Sequence, residues 1–204
     1  MSGAEVGLIV VAVVAVILFA LTSVARRLDR LHRREGASRA TLEAQLVRRA
    51  EAAMALTECD LLDPAARIVV AEAAWRAAAG APRLIGDDTP GAAEERGLAE
   101  SELTRVLRAA LGDGQDQRPW AEREDSAALL EHLGTAGYRA QLARRFHNDA
   151  VVQIRRIRRT PLVRIFRLAG RAPLPETFEM DDDLPVPASA SPTVPDSGPP
   201  PELR

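Results

Sequence analysis

Side chains able to do acid–base, metal or thiol chemistry are sparse in this chain of 204 residues. It has three histidines, His32, His132 and His147, and a single cysteine, Cys59. The histidines do not lie at the short spacing of metal ligands, and a lone cysteine cannot form an internal disulfide. We expect the histidines at helix edges or on the surface and Cys59 as a small buried side chain. We expect no metal site and no other cofactor.

One acidic cluster could be taken for a catalytic motif. Residues 91–103 read GAAEERGLAESEL and hold Glu94, Glu95, Glu100 and Glu102. A magnesium-dependent pyrophosphohydrolase box needs a Glu at a fixed distance from its first glycine, and here Gly97 breaks that frame. Acidic residues near a helix start also have a simpler role, because they complement the helix dipole. The chain shows neither a Gly-rich phosphate loop nor a G-x-S-x-G elbow. The sequence therefore predicts a non-enzymatic protein with no catalytic residues.

The composition favours helices over strands. Alanine occupies 37 positions, all 27 basic residues are arginine, and aromatic residues make up only 3%. Alanine and arginine are strong helix formers, whereas the aromatic residues typical of strands are scarce. We predict an all-α fold, which excludes β-sandwich, barrel and parallel α/β classes.

The N-terminal part of the chain reads as a membrane anchor. Twenty residues without a charge run from Val6 to Ala25, and a helix of that length crosses the hydrocarbon core of a bilayer. A cleaved signal peptide is one alternative, because Ser23-Val24-Ala25 suits a cleavage site, but the leader lacks a positive charge. A buried core helix is the other alternative, although the run is apolar on all sides.

The charges on the two sides of this run predict its orientation. Only Glu5 precedes it, whereas five arginines follow at once: Arg26, Arg27, Arg30, Arg33 and Arg34. The positive-inside rule places such arginines in the cytoplasm. We therefore expect a single-pass protein of the inner (plasma) membrane with its N-terminus outside. A large extracytoplasmic domain is the opposite possibility.

Apolar periodicity, together with the proline, glycine and capping residues expected at helix ends, predicts four amphipathic helices after the anchor. They cover about 28–60, continuous with the span, then 64–80, 92–111 and 119–160. Asp63 and Pro64 are a good start signal for the second helix, and Pro161 should end the fourth. Short connections favour antiparallel neighbours. The fold we predict is an N-terminal transmembrane helix followed by an antiparallel, four-helix-bundle-like domain with long first and fourth helices.

Finer expectations concern domain limits and packing. We assign 1–27 to the anchor, 28–171 to the cytoplasmic bundle and 172–204 to a disordered, Pro-rich, acidic tail, because such a composition buries little apolar surface. In the second helix the expected core positions are Ile68, Val69, Ala73, Trp75 and Ala79. Gly134 and Gly137 could kink the fourth helix.

Charge is strongly segregated along the chain although the formal net charge is only −2. Residues 87–131 hold 12 acidic residues and 5 arginines, whereas residues 139–171 hold 10 arginines and one acid. The basic block could be a solvated helix face, or it could contact an anionic leaflet, where each arginine contributes about 1 kcal/mol. Without stacking aromatics we expect no nucleic acid. The residues of the possible membrane-surface contact are Arg155, Arg156, Arg158, Arg159, Arg164, Phe166 and Arg167.

Residues 134–180 resemble the C-terminal signature of the LemA family of bacterial membrane proteins. The matching positions are Gly134-Thr135, Ala143-Arg144, Phe146, Asn148-Asp149-Ala150-Val151, Pro161 and Phe178-Glu179. Residues 42–56, LEAQLVRRAEAAMAL, also resemble the segment that follows the span in that family, and the likeness is looser over 28–133. The resemblance implies an N-out, single-pass protein with a cytoplasmic helical domain, and no reaction or catalytic residue to transfer.

These observations predict a membrane-anchored, non-enzymatic scaffold or adaptor of the bacterial envelope whose protein partner is unknown. Phe146, Asn148 and Asp149 are expected to set the packing and polar contacts of the fourth helix. The alternative is a signalling or assembly component that recruits a partner through its tail, since the Pro-rich stretch could present a polyproline II ligand.

Overall fold

The computed structural model describes residues 2–59, 62–85, 91–112, 124–166 and 174–184, and the regular secondary structure of those residues is helical. In chain order the elements are α1 (Gly3–Thr57), α2 (Pro64–Trp75), a π-helical turn (Arg76–Gly80), α3 (Ala92–Leu111), α4 (Glu124–Arg158) and α5 (Pro161–Ile165). The prediction of an all-α fold with a long apolar N-terminal helix is confirmed.

Helix α1 joins the apolar run to the rest of the molecule without a break over 55 residues. It begins with a capping box in which Ser2 and Glu5 each bond to the other's backbone N–H. By length and composition the apolar part of α1 is able to cross a membrane, a test that signal sequences and core helices also pass. None of this apolar stretch is buried against other described residues.

Most helix limits follow the local signals in the sequence. The Asp63 carboxylate accepts hydrogen bonds from the N–H groups of Ala65 and Ala66, at 2.9 and 3.0 Å, so it caps α2 as predicted. Gly112 follows α3 with a positive φ of 70°, a conformation that glycine adopts without strain. Helix α4 ends at Arg158 and Pro161 starts α5. The first predicted residues of the fourth helix, 119–123, lie outside the described residues.

Helices α1 and α4 form the most extensive helix pair and run antiparallel. Leu42 and Leu46 share one core cluster with Ala140 and Ala143. Further along α1, Ala50, Ala53 and Leu56 share a second cluster with Leu130 and Leu133 of α4. Residue numbers thus rise along α1 as they fall along α4. Gly134 and Gly137 do not interrupt α4, which is helical throughout.

The same register brings the end of α4 back to the apolar part of α1. His147 lies near Glu35 and Arg39 of α1, so Arg158 falls roughly level with Leu28, one helical turn beyond the apolar run. Leu28 and Ile154 are both buried. The basic end of α4 therefore sits beside the arginines that follow the apolar run.

Helices α2 and α3 pack at the other end of α1. The buried face of α2 differs from the predicted one. Its buried positions are Val70, Ala73 and Ala74, whereas Ile68 and Trp75 are 69% and 60% exposed. Val69 and Ala79 are also exposed, so of the five expected core positions only Ala73 is buried and the prediction for the other four is wrong. The sequence of α2 is apolar at nearly every position, so its pattern does not show which face of the helix is buried. Small side chains let α2 approach its neighbours closely, which leaves no room for an indole.

A second correction concerns the tail predicted to begin at residue 172. Residues 174–184, the C-terminal segment, lie between α3 and α4 and bond to both helices. The expectation of disorder is wrong over these eleven residues, because Phe178 supplies an apolar anchor that is only 1% exposed. Residues 167–173 and 185–204 lie outside the described residues. In a regular four-helix bundle α3 would pack directly along α4. Here the C-terminal segment lies between these two helices.

Candidate functional site

Four charged side chains meet in the interior between α1 and α3. Arg49 of α1 lies 3.1 Å from the Glu100 carboxylate of α3, and Arg96 lies 3.1 Å from its other oxygen. Arg96 also lies 3.4 Å from Glu43 of α1. The Arg49, Arg96 and Glu100 side chains are at most 1% exposed and that of Glu43 is 12% exposed. We call these four residues the buried charge network.

The buried charge network reaches two further parts of the chain. The second oxygen of Glu43 accepts a hydrogen bond from the backbone N–H of Leu84, at 2.9 Å, in the connection before α3. Arg49 also donates to the hydroxyl of Thr104. That hydroxyl in turn donates to the carbonyl oxygen of Asp181 in the C-terminal segment, at 2.6 Å. The network thus links α1, α3, a connection and the C-terminal segment.

Burial governs the electrostatics of this network. Removal from water raises the pKa of the Glu100 carboxyl above its usual value, against the attraction of Arg49 and Arg96. The same desolvation lowers the pKa of the Arg49 guanidinium. A buried ion pair adds little net stability, but removing one partner leaves an uncompensated charge in the interior. We infer that the network fixes how α1 sits against α3.

The sequence carried a signal for this network that the interpretation of Glu100 as a helix-dipole residue missed. Arg49 is in phase with the apolar positions Leu42, Leu46 and Leu56 of α1. Arg96 and Glu100 are likewise in phase with Leu103 and Leu107 of α3. Opposite charges on the apolar stripes of two helices indicate a buried ion pair, because an isolated buried charge is costly.

The C-terminal segment is held chiefly through its backbone. The Asn148 side chain of α4 donates to the carbonyl oxygen of Phe178 at 3.0 Å and accepts from the Phe178 N–H at 2.8 Å. On α3, Ser101 accepts from the N–H of Asp181 at 2.9 Å. Asn148 and Phe178 both belong to the motif positions noted in the sequence, and the fold brings them into direct contact.

Two arginines flank the segment and pair with its acids. Arg108 of α3 contacts the Asp181 carboxylate at 3.1 Å and donates to the carbonyl oxygen of Asp183 at 2.7 Å. Arg144 of α4 contacts Asp182 at 2.7 Å. The aspartates of the segment therefore neutralise one arginine on α3 and one on α4.

His147 is buried beneath the same segment, contrary to the expectation of a histidine at a helix edge or on the surface. Its Nε2 lies 3.3 Å from the carbonyl oxygen of Glu176. Desolvation lowers the pKa of His147, although that carbonyl and Glu35 favour the protonated form. Of the other two histidines, His132 is exposed and His32 is partly buried on α1.

The predicted membrane-surface residues gather at the end of α4. A shallow cavity of about 440 Å³ is lined by Arg155, Arg158, Arg159, Arg164 and Leu174. Arg155 also donates to the carbonyl oxygen of Pro175 at 2.9 Å. Arg156 is exposed, and Phe166 is 47% exposed. Arg167 lies outside the described residues.

The remaining predicted residues divide between packing and solvent. Asn148 sets polar contacts of α4 as expected. Phe146 is 57% exposed, so the expectation that it packs α4 is wrong. Asp149 is exposed, and its expected polar role stays a prediction. Successive helix positions differ by about 100°, so three residues this close in sequence cannot share one face.

The arrangement is suited to holding elements together. In the part of the chain that the structure describes, no three His, Cys, Asp or Glu side chains form a group able to hold a metal ion. The buried carboxylates are engaged by arginines and backbone N–H groups. Such a network fixes positions of helices.

Comparisons with protein-family models, with curated proteins and with solved structures found no match to this chain. The resemblance to the LemA family over residues 134–180 stays a prediction.

Replacing Glu100 by glutamine should destabilise the fold strongly. The variant leaves two buried guanidinium groups with one carboxylate, which costs about 3 to 5 kcal/mol of unfolding free energy. Denaturant unfolding followed by circular dichroism in detergent micelles measures the change. Glu102→Gln is the matched control, because Glu102 pairs with the exposed Arg105, and it should change stability little. Equal stability of the two variants would contradict the role of the network.

Acidification should weaken the protein through His147. Because its folded-state pKa lies below the ordinary value of 6.5, the unfolded chain takes up the proton first as pH falls. Stability is therefore kept above about pH 6.5 and lost below it. Thermal unfolding at pH 7.5 and 5.5 should show a larger drop for the wild type than for His147→Gln. An equal drop in both proteins would show that other groups cause the pH dependence.

Proposed function

We propose that this chain is a membrane-anchored, non-enzymatic scaffold or adaptor of the bacterial cell envelope, similar to the LemA family. It crosses the inner membrane once, with its N-terminus outside. Its helical, four-helix-bundle-like domain lies in the cytoplasm and presents binding surfaces to a protein partner that is not identified.

The continuity of α1 is the single observation that carries this proposal. One helix of 55 residues includes both the exposed apolar run and the packed residues from Leu28 onward. An apolar stretch of about 20 residues needs a non-aqueous environment. A continuous helix holds the domain at a defined distance and angle from that environment, which suits a platform more than a freely diffusing enzyme.

Arginines on two elements favour the cytoplasmic orientation. Arg26, Arg30 and Arg33 form one cluster on α1, and the end of α4 adds the arginines of the 440 Å³ cavity at the same level. The end of α4 thus adds four arginines to the five that follow the span in the sequence. Positive charge close to a span is retained on the cytoplasmic side.

The same end of the domain is suited to contact anionic lipid. Ile165 and Phe166 are 73% and 47% exposed next to Arg164. Exposed apolar side chains among arginines are typical of segments that lie at a bilayer surface. These residues follow the end of α4, which by register is level with Leu28, just beyond the C-terminal end of the span at Ala25. The lipid headgroups on that side are therefore within reach.

Cysteine accessibility tests the topology. On a Cys59→Ser background, Ala4→Cys should react with a membrane-impermeant maleimide in intact spheroplasts, because the N-terminus lies outside. Glu131→Cys, an exposed position on α4, should react only after the cells are opened. Both proteins should stay in the membrane pellet after an alkaline wash. Reaction of Glu131→Cys in intact spheroplasts, or loss of the first 25 residues by cleavage, would overturn the proposed arrangement.

Brominated lipids test the surface contact. A fluorophore at Ile165→Cys, on the Cys59→Ser background in nanodiscs, should be quenched more by anionic than by zwitterionic brominated lipid. Arg159→Gln with Arg164→Gln should weaken that quenching, since each arginine near an anionic surface contributes about 1 kcal/mol. Arg139→Gln with Arg145→Gln removes the same charge from exposed positions nearer the middle of α4 and is the control. Equal quenching in the two double variants would contradict a specific contact.

A further inference from the structure

The groove between α3 and α4 has the features of a site for an extended peptide. Contacts with the C-terminal segment run along α4 from Arg155, opposite Pro175, to Gly137, opposite Leu184. The eighteen helical steps from 137 to 155 cover about 27 Å, and the nine steps from 175 to 184 cover about 30 Å when fully extended. The segment therefore lies nearly stretched out along the helix.

Three polar side chains of the groove bond to the backbone of the segment. Asn148 bonds both backbone groups of Phe178. Ser101 and Thr104 together bond both backbone groups of Asp181. Peptide-binding domains obtain affinity from main-chain hydrogen bonds of this kind and specificity from pockets for alternate side chains.

One pocket of the groove takes an aromatic side chain. Phe178 is 1% exposed and belongs to a cluster with Leu42, Leu46, Leu84 and Ala140. Burying a phenylalanine of this kind contributes about 1.5 to 3 kcal/mol. The pocket is built from α1, α4 and the connection before α3, so the body of the domain provides it.

A glycine allows the backbone of the ligand to approach α3 closely. A Cβ at Gly97 would overlap the carbonyl oxygen of Glu179. The flanking arginines, Arg108 and Arg144, select for acidic residues on either side of the segment. The ligand class that fits is thus an extended acidic peptide with one phenylalanine anchor.

We propose that this groove takes the C-terminal segment of a second copy of this chain. All the contacts just described are the same whether the segment comes from its own domain or from a neighbour, and such an exchange is a low-cost route to dimers. Phe166 and Leu174 are eight residues apart in sequence. A chain of that length can span up to about 28 Å, which is the reach available for the segment to enter a neighbouring groove.

This proposal names a partner for the scaffold and rests on its membrane anchoring. Copies confined to one bilayer meet at high effective concentration, which favours exchange between neighbours. The two proposals fail separately: the labelling of Ala4→Cys and Glu131→Cys reports on anchoring, and the experiment below reports on exchange.

Disulfide trapping between full-length copies in native membranes tests the exchange. Two differently tagged proteins, both Cys59→Ser, are co-expressed, one with Ser101→Cys and the other with Asp181→Cys. These positions are adjacent, since the Ser101 hydroxyl lies 2.9 Å from the Asp181 backbone nitrogen. We expect a disulfide-linked heterodimer on mild oxidation. Phe178→Ala in the copy with Asp181→Cys should cause most of that heterodimer to be lost, because the anchor is missing.

Two controls make the result decisive. Both cysteines in one chain should give the intramolecular disulfide, and its absence would overturn the groove itself. Gln153→Cys, exposed on α4, replaces Ser101→Cys to measure random collision. If the Ser101→Cys and Asp181→Cys copies give no more heterodimer than this control, the segment stays in its own groove and the proposal is wrong.

Discussion

The contact on which the rest of the domain depends is the buried pairing of Arg49 with Glu100. Two charges at 3.1 Å, with side chains at most 1% exposed, are tolerated only if α1 and α3 keep one relative position. Arg96 and Glu43 complete the neutralisation, and Glu43 also holds the connection that precedes α3. Because Arg49 bonds Thr104 as well, the same contact orients the hydroxyl that binds Asp181. The position of the C-terminal segment thus follows from a charge pair in the core.

A core rich in alanine explains why such a pairing is needed. The main cluster holds nine buried leucines and valines and seven buried alanines. Among the described residues Phe178, in the C-terminal segment, is the one buried Phe, Tyr or Trp. Close-packed alanines bury little apolar area per contact and discriminate weakly between neighbouring registers. Directional bonds between charged and polar groups supply that discrimination. They do so at the cost of strong sensitivity to loss of any one partner.

Local signals in the sequence were reliable where the structure depends on local physics. Asp63 and Pro64 predicted the start of α2 because a cap and a fixed φ act within one turn. The buried residues Leu42, Leu46, Ala50, Ala53 and Leu56 of α1 recur at the three- and four-residue spacing of an amphipathic helix. In α2 no polar residues mark the faces so clearly, and Ile68 and Trp75 were placed on the wrong side. The groove was missed because its members, Ser101, Asn148 and Phe178, lie on three separate parts of the chain.

The sequence by itself determined the helical class, the apolar run, its arginine flank and most helix limits, because each depends on neighbours within a few turns. Tertiary structure decided which charges are buried and which chain segment fills the space beside α3. Glu100 looks like any surface acid of a helix until α1 brings Arg49, 51 residues away, to its carboxylate. Residues 174–184 look like a disordered tail until α1, α4 and the connection before α3 form a pocket for Phe178. Both outcomes depend on burial, a property that no residue has until the helices pack.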